Sequence, residues 1–358
     1  MKKFSLVVGF RNREVTRIKR ALDSLALQTY KRFELIFIDY GSDKELAAGV
    51  KKVVEDYEFA RYYYSCSEGL FWSRAHALNT GIKKASGDTL LMYDIDLIVE
   101  ADFLKKISGL NYDRQFYTFS CFYLPAHFNL ENKDLTKDGV HYEQNYVGLC
   151  AVKKEFVFDL GGFDEYFAVW GGEDDDLYER LKWVGVEREQ MTASDFKVFH
   201  QWHPSQAPTT PSTWYLTMVD YLYSKKRNGS RLNEWGKLYK AEGRVCLTLF
   251  NNRQYYSKHR LQLLEKERFL FFNLLIKDVH ELEAGETAYL EHEFRAISKK
   301  SKFRFISNSK NSATALNLIS IEKIKDFFEN FIGVNRKLFN DYFFCISDTK
   351  LLFICQKK

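Results

Sequence analysis

The chain has 358 residues, 46% hydrophobic and 28% charged, with a formal net charge of +5, and a chain of that length favours two folded units over one swollen core. Four prolines and an even spread of charge exclude collagen-like, low-complexity and long disordered stretches. The small positive excess suits an anionic ligand or an acidic membrane surface and is too slight for nucleic-acid binding.

Phe4-Ser5-Leu6-Val7-Val8 reads as a first buried strand, too short for a signal-peptide core or a membrane span. Apolar positions Ile18, Leu22, Leu25 and Leu27 predict a helix, and Glu34-Leu35-Ile36-Phe37-Ile38 a second strand that turns at Asp39-Tyr40-Gly41-Ser42-Asp43. A helix over 43–57, a strand over 60–64 and a helix over 73–84 follow. A fourth strand, Thr89 to Tyr93, ends on Asp94. This alternation predicts an α/β fold: a Rossmann-like, mostly parallel sheet with crossover helices. Ligands of such sheets bind beyond the carboxyl ends of the strands, where Asp39 and Asp94 stand.

Beyond Trp202-His203-Pro204, Pro208 and Pro211 mark an internal linker, and residues 214–242 carry helical spacing. From Arg244 the texture changes to aromatic runs such as Phe269-Leu270-Phe271-Phe272, a helix over 321–331 and a closing strand pair over 342–346 and 351–355. The expected organisation is therefore a catalytic domain over 1–243 and a C-terminal α+β extension over 244–358. The extension carries no motif. Six cysteines without Cys-x-x-Cys spacing read as reduced thiols.

Asp94-Ile95-Asp96 is an Asp-x-Asp at a strand end, where one carboxylate can hold a divalent cation and the other can address a ribose or pyrophosphate. A solvated turn would give the same pattern. Trp170-Gly171-Gly172-Glu173-Asp174-Asp175-Asp176 is more specific, since helix capping accounts for one or two acids and not for four beside two glycines. Clustered carboxylates raise one another's pKa and so suit a proton acceptor near neutral pH. His200, or His203 three residues on, can join Asp96 around a metal. Phe10-Arg11-Asn12-Arg13 and Trp72-Ser73-Arg74 each offer arginines for phosphate and an aromatic for a base.

In order and spacing, Phe10-Arg11-Asn12-Arg13, Ser73-Arg74-Ala75, Asp94-Ile95-Asp96, Gly161-Gly162-Phe163 and the run from Trp170 resemble the GT-A glycosyltransferases of the family 2-like kind. The resemblance is to β-1,4-galactosyltransferases and bacterial chondroitin-type polymerases and covers about residues 4 to 204. It implies that Phe10, Arg11, Arg13, Trp72 and Arg74 bind uridine diphosphate, with Asp39 near the base and Asp94 by the ribose and phosphate. Asp96 would ligate Mn2+ (or Mg2+) with His200, His203 being the rival ligand. Trp170, Gly171, Gly172 and Glu173 would shape the acceptor pocket, and Asp174 would be the general base. Tyr40 departs from the pattern, because many family 2 members carry a second Asp there.

Retaining relatives have Asn where this chain has Asp174, so the resemblance implies inversion. The expected activity is transfer of a hexose or N-acetylhexosamine from a UDP-sugar to a glycan or lipid-linked glycan, in bacterial surface polysaccharide (capsule or lipopolysaccharide) biosynthesis. The expected setting is cytoplasmic, with peripheral association at the inner membrane face and a partner transferase docked on the C-terminal region. The competing reading is an inactive nucleotide-sugar-binding or scaffold module of a polysaccharide assembly complex.

Overall fold

Runs rich in apolar residues form the centre of the sheet: Phe4–Phe10 (β1) is buried along almost its whole length and Phe33–Tyr40 (β2) along all of it. Strands covered on both faces are written this way in parallel sheets. The computed structural model describes residues 2–128, 135–137, 139–169, 171–204, 235–252, 259–260, 277–293 and 321–358. The linker prolines Pro208 and Pro211, most of the helix expected over 214–242, the aromatic run at 269–272 and Trp170 lie outside the described residues.

The chain divides into two units, residues 1–66, 72–209 and 218–238, and residues 67–71, 210–217 and 239–358. In the first, the helices Val15–Ala26 (α1), Lys44–Glu55 (α2) and Arg74–Ile82 (α3) separate β1, β2, Ala60–Ser65 (β3) and Thr89–Met92 (β4). The order β3-β2-β1-β4 is parallel throughout. Beyond β4 antiparallel pairs enter and the sheet is mixed, while five of its eight pairings are parallel, in keeping with the expected mostly parallel sheet. Val140–Lys153 (β7) runs antiparallel to both β4 and Gln115–Tyr123 (β6). Val198–His200 (β9) lies parallel to β6 and antiparallel to Leu97–Val99 (β5), and Glu187–Met191 (β8) also pairs with β6. The short helices Phe103–Ser108 (α4) and Lys154–Asp159 (α5) precede Glu173–Trp183 (α6).

Helix α3 lies flat on the sheet because Gly81 lets it: a Cβ there would stand 2.4 Å from Val7 Cγ1. On its other side Asn79, fully buried, donates from Nδ2 to Phe163 O and Glu165 Oε1, both at 2.9 Å, while Phe163 N donates to Asn79 Oδ1 at 2.8 Å. Gly162 sits at φ +76 against that amide, where a Cβ would lie 2.4 Å from Oδ1. One asparagine thus anchors the loop that leads to α6.

The second unit is built on a four-stranded sheet, in the order His259–Arg260 (β10), Thr287–Glu293 (β11), Lys350–Lys357 (β13) and Phe339–Ile346 (β12). The helix Ile321–Val334 buries Ile324, Phe328 and Phe331 with Phe353 and Cys355. Arg244, 1% exposed, pairs through Nε with Asp341 Oδ1 at 2.8 Å and donates from Nη2 to the carbonyls of Tyr342 and Glu68. Among the described residues no helix is long and apolar enough to cross a membrane.

Asn79→Ala is expected to destabilise the chain by about 2–3 kcal/mol, because the Phe163 peptide and the Glu165 carboxylate lose buried partners. A urea midpoint unchanged from the parent's would refute this anchoring role.

Candidate active site

Two carboxylates only two residues apart leave the end of β4 in different directions. Asp94 turns towards α3 and α6, and Asp96 towards the end of β9. The β5–β9 pairing sets Leu97 opposite His200, and Gln201 N donates to Asp96 O at 2.9 Å, which locks that second arrangement. Asp96 Oδ1 is 3.7 Å from His200 Nε2, and Asp96 Oδ2 is 3.3 Å from His203 Nε2. Both histidines are therefore at the site, not one in preference to the other.

These three ligand atoms lie within 4.8 Å of one another. Ligands about 2.0–2.2 Å from a shared cation stand about 3 Å apart, so the trio is close to the spacing a divalent ion requires. His203 Nδ1 meets Pro204 O at 2.8 Å, which favours the tautomer that leaves Nε2 free to ligate. Asp96 Oδ1 and His200 Nδ1 are buried without a hydrogen-bond partner. Burial raises the Asp96 pKa, but the His203 hydrogen bond and the nearby charges of His200, His203 and Arg13 outweigh it and lower the carboxyl overall. Burial lowers the His200 pKa, so that ring stays neutral and able to ligate. One carboxylate and two imidazoles fit a first-row divalent ion such as Mn2+.

The second cluster is organised by Arg74, first residue of α3. Ser73 caps that helix, accepting from His76 N at 3.2 Å and donating from Oγ to Phe167 O at 2.9 Å. From this fixed start the guanidinium donates through Nε to Asp94 Oδ1 at 3.1 Å, through Nη1 to both Asp174 oxygens at 2.8 and 3.0 Å, and through Nη2 to Gly148 O at 2.8 Å. Glu173 Oε1 is 3.5 Å from Nη1. Three carboxylates share one guanidinium, so the cluster carries surplus negative charge in a poorly solvated place. Burial, then the Asp174 charge, raises the Glu173 pKa to about 7, with Arg74 opposing. Asp174 is raised as well, burial again leading and Arg74 again opposing.

The residues expected at the nucleotide are placed as follows. Arg74 grips the protein carboxylates Asp94, Glu173 and Asp174. Phe10 is 1% exposed and packs on Phe37 with ring centroids 5.2 Å apart, so it is core and presents no face to a base. Asp39 is fully buried, its oxygens accepting from Ser42 N at 2.9 Å and Tyr62 Oη at 2.7 Å. It holds the turn after β2. Trp72 stands edge-on to Tyr40 at 5.7 Å, the Arg11 guanidinium lies 6.0 Å above the Tyr40 ring, and Tyr40 Oη meets His76 Nδ1 at 3.1 Å. Tyr40 thus builds an aromatic wall where an acid was the family pattern.

Gly171 and Gly172 have φ +82 and +90, and a Cβ on Gly172 would stand 2.8 Å from Phe167 Cε1. They let the chain enter α6 so that its first two residues face Arg74. Gly148 was not among the expected site residues. A Cβ there would lie 2.1 Å from Arg74 Nη2 and 2.9 Å from Asp94 Oδ2, so only glycine fits. A lone glycine inside a strand-like run was the available signal.

Comparison with known proteins fits this geometry. Residues 5–114 match the model described as glycosyl transferase family 2, and residues 129–203 match that described as the N-terminal domain of galactosyltransferase. Two glycosyltransferase models thus match successive stretches of the chain. It is 32% identical to β-1,4-galactosyltransferase 1 of Bos taurus over 127 residues, covering 35% of this chain and 29% of that protein. It is 29% identical to β-1,4-galactosyltransferase 4 of Rattus norvegicus over 181 residues, covering 48% of this chain and 43% of that protein. The chain therefore spans less than half the length of these relatives. A solved structure of GalNAc-T7 with UDP, GalNAc and Mn2+ is similar at 18% identity and TM-score 0.46, over 62% of this chain and 48% of that one.

The raised Glu173 carboxyl generates a pH dependence with a definite sign. Between its ordinary value of 4.5 and about 7 the folded chain holds a proton that the unfolded chain has released, so stability falls as pH rises through that window. Glu173→Gln carries no charge to bury. Its stability relative to the parent is expected to grow from about pH 5 to pH 8 in urea titrations, and a gap independent of pH would count against the assignment.

Proposed function

We propose that the chain transfers a hexose or N-acetylhexosamine from a UDP-sugar to a hydroxyl of a glycan or lipid-linked glycan, with inversion at the anomeric carbon. The observation that carries the proposal is Asp174, an oriented carboxylate at the start of α6. Its side chain keeps 27% exposure, while its neighbour Glu173 keeps 11%. Of the two acids at that helix start, Asp174 is the one an acceptor hydroxyl can reach. Arg74 fixes the plane of this carboxylate and opposes the rise in its pKa that burial causes. Carboxylate oxygens retain further lone-pair positions after accepting from one nitrogen, so Asp174 can still take a proton.

In the reaction Asp174 accepts the acceptor's hydroxyl proton as that oxygen bonds to the anomeric carbon. The bond from that carbon to the diphosphate oxygen breaks with its electron pair, and UDP departs. No covalent enzyme intermediate is needed. Asp96, His200 and His203 would hold Mn2+, which when bound stabilises the departing diphosphate as a Lewis acid. Asp94, tied to Arg74, lies between the two clusters and is positioned by both the β4 exit and α3. Burial and then the Asp174 charge raise the Glu173 carboxyl to about 7, so the two neighbouring acids titrate together. The setting we infer, bacterial surface polysaccharide assembly at the inner membrane face, rests on the likeness of the motifs to bacterial chondroitin-type polymerases.

Release of UDP from a panel of UDP-sugars, with Mn2+ and with excess chelator, tests the proposal. Turnover is expected with Mn2+ for one donor or a small set and is expected to disappear with chelator. Asp174→Asn should lower kcat by roughly 10²–10⁴-fold while UDP affinity stays within about threefold. Near-parental turnover in that variant would remove Asp174 as the base, and no release from any donor would leave the scaffold reading in possession.

A further inference from the structure

Among the described residues, buried polar atoms without a hydrogen-bond partner gather around the end of β9: Nη1 of Arg13, Nε and Nη1 of Arg17, Oδ1 of Asp96, Nδ1 of His200 and Oε1 of Gln201. Proteins rarely bury such groups unsatisfied, and when they do the group awaits a ligand or serves function. The Asp96 and His200 atoms belong to the cation site already described. The arginine nitrogens do not, because an N–H cannot be satisfied by a cation.

Arg17 is the residue that the motif reading did not touch. It lies in the first turn of α1, four residues beyond Arg13, and its backbone oxygen accepts from Gln201 Nε2 at 3.0 Å, which clamps it beside His200. Its side chain is only 12% exposed, and among the described residues its one ion pair runs from Nε to Glu14 Oε2 at 3.5 Å, with Glu14 76% exposed. A pair so long and so well solvated contributes little. The Arg17 charge bears on both Arg13 and His200. Two guanidiniums with unmet donors therefore stand beside a cation site, and among the described residues the acids acting on them are Asp96, Asp94 and the exposed Glu14. The ligand that satisfies such a place is multiply anionic and rich in acceptor oxygens, and phosphate oxygens match the guanidinium fork in spacing and charge.

We propose that Arg17 acts with Arg13 to grip the diphosphate of the nucleotide sugar beside the cation. The assignment rests on the transferase reading above and adds Arg17 to it as a binding residue. Arg17 reaches the anion from a helix, whereas Arg13 lies in the loop after β1, so the two approach from separately supported backbones. Gln201, bonded to Arg17 O and through its own N–H to Asp96 O, sets the distance between the anion grip and the cation ligands.

The test compares the full chain with Arg17→Met and Arg17→Lys, titrated calorimetrically with UDP, inorganic pyrophosphate and uridine in the presence of Mn2+, and with Mn2+ alone. Arg17→Met is expected to weaken UDP and pyrophosphate roughly 10- to 100-fold, the range for hydrogen bonds to a charged group. Uridine and Mn2+ alone should change less than about threefold, and Arg17→Lys should recover part of the diphosphate affinity. UDP affinity in Arg17→Met within about threefold of the parent's overturns the proposal, as does an equal loss on uridine, which marks a folding lesion. Arg17-dependent binding of pyrophosphate without any UDP binding by the parent keeps the anion grip and overturns the nucleotide-sugar reading. Binding of neither overturns both.

Discussion

One guanidinium ties together the strand and helix ends around the acidic cluster. Arg74 joins the exit of β4, the start of α3, the start of α6 and the backbone of β7 through Asp94, Glu173, Asp174 and the Gly148 carbonyl. Without it three carboxylates would face one another in a poorly solvated cleft, and mutual repulsion would push α6 away from the sheet or force two of them to protonate. With it, the guanidinium opposes the rise that burial causes in the Glu173 and Asp174 pKa values. The arrangement explains why Gly148 tolerates no side chain and why Ser73 caps α3 so firmly, since a shift of either would move the guanidinium.

The Asp94-Ile95-Asp96 motif works by separating its two acids. Residues two apart on a strand would point the same way, but β4 ends at Met92 and β5 begins at Leu97, so the motif occupies the turn between them. Asp94 goes to an arginine and Asp96 to two histidines. Their environments then diverge: Asp96 is kept ionised by His203, His200 and Arg13 against its burial, while the Glu173 and Asp174 carboxyls beside Asp94 are pushed up by theirs. A ligand-holding acid and a proton-handling pair can thus coexist at neighbouring positions of one cleft.

Much of this was legible in the residues. The four parallel strands and their helices follow from apolar runs alternating with helical spacing, and the acidic run after two glycines marked the start of α6. Local pattern could not report what depends on pairing over long range. Nothing in the run from Gln115 to Lys153 announces that β7 reverses direction against β4, because an antiparallel strand buried on both faces reads like a parallel one. Phe10 and Asp39 sit in motif positions, yet one is core and the other holds a turn through Tyr62, a residue 23 positions on. Residues 67–71 belong to the second unit, where Phe344 N donates to Gly69 O at 2.9 Å, and no composition shift marks that excursion.

The glycines around α6 show where the remaining strain is placed. Val169, a β-branched residue, stands at φ +71, and Gly161, Gly162, Gly171 and Gly172 all have positive φ. A valine in that region costs on the order of 1–3 kcal/mol and persists only when its surroundings dictate it. Those surroundings are visible: Val169 N donates to Trp72 O at 2.7 Å, Ser73 Oγ binds Phe167 O, and Asn79 grips Phe163 from both sides. All these bonds run from the segment that begins α3, the helix that carries Arg74. The loop is bent by the same stretch of chain that supplies the guanidinium, so the position of Asp174 relative to Arg74 is set from two directions. A carboxylate proposed to accept a proton, whose placement must be good to a fraction of an ångström, is better fixed by such convergence than by a single hydrogen bond.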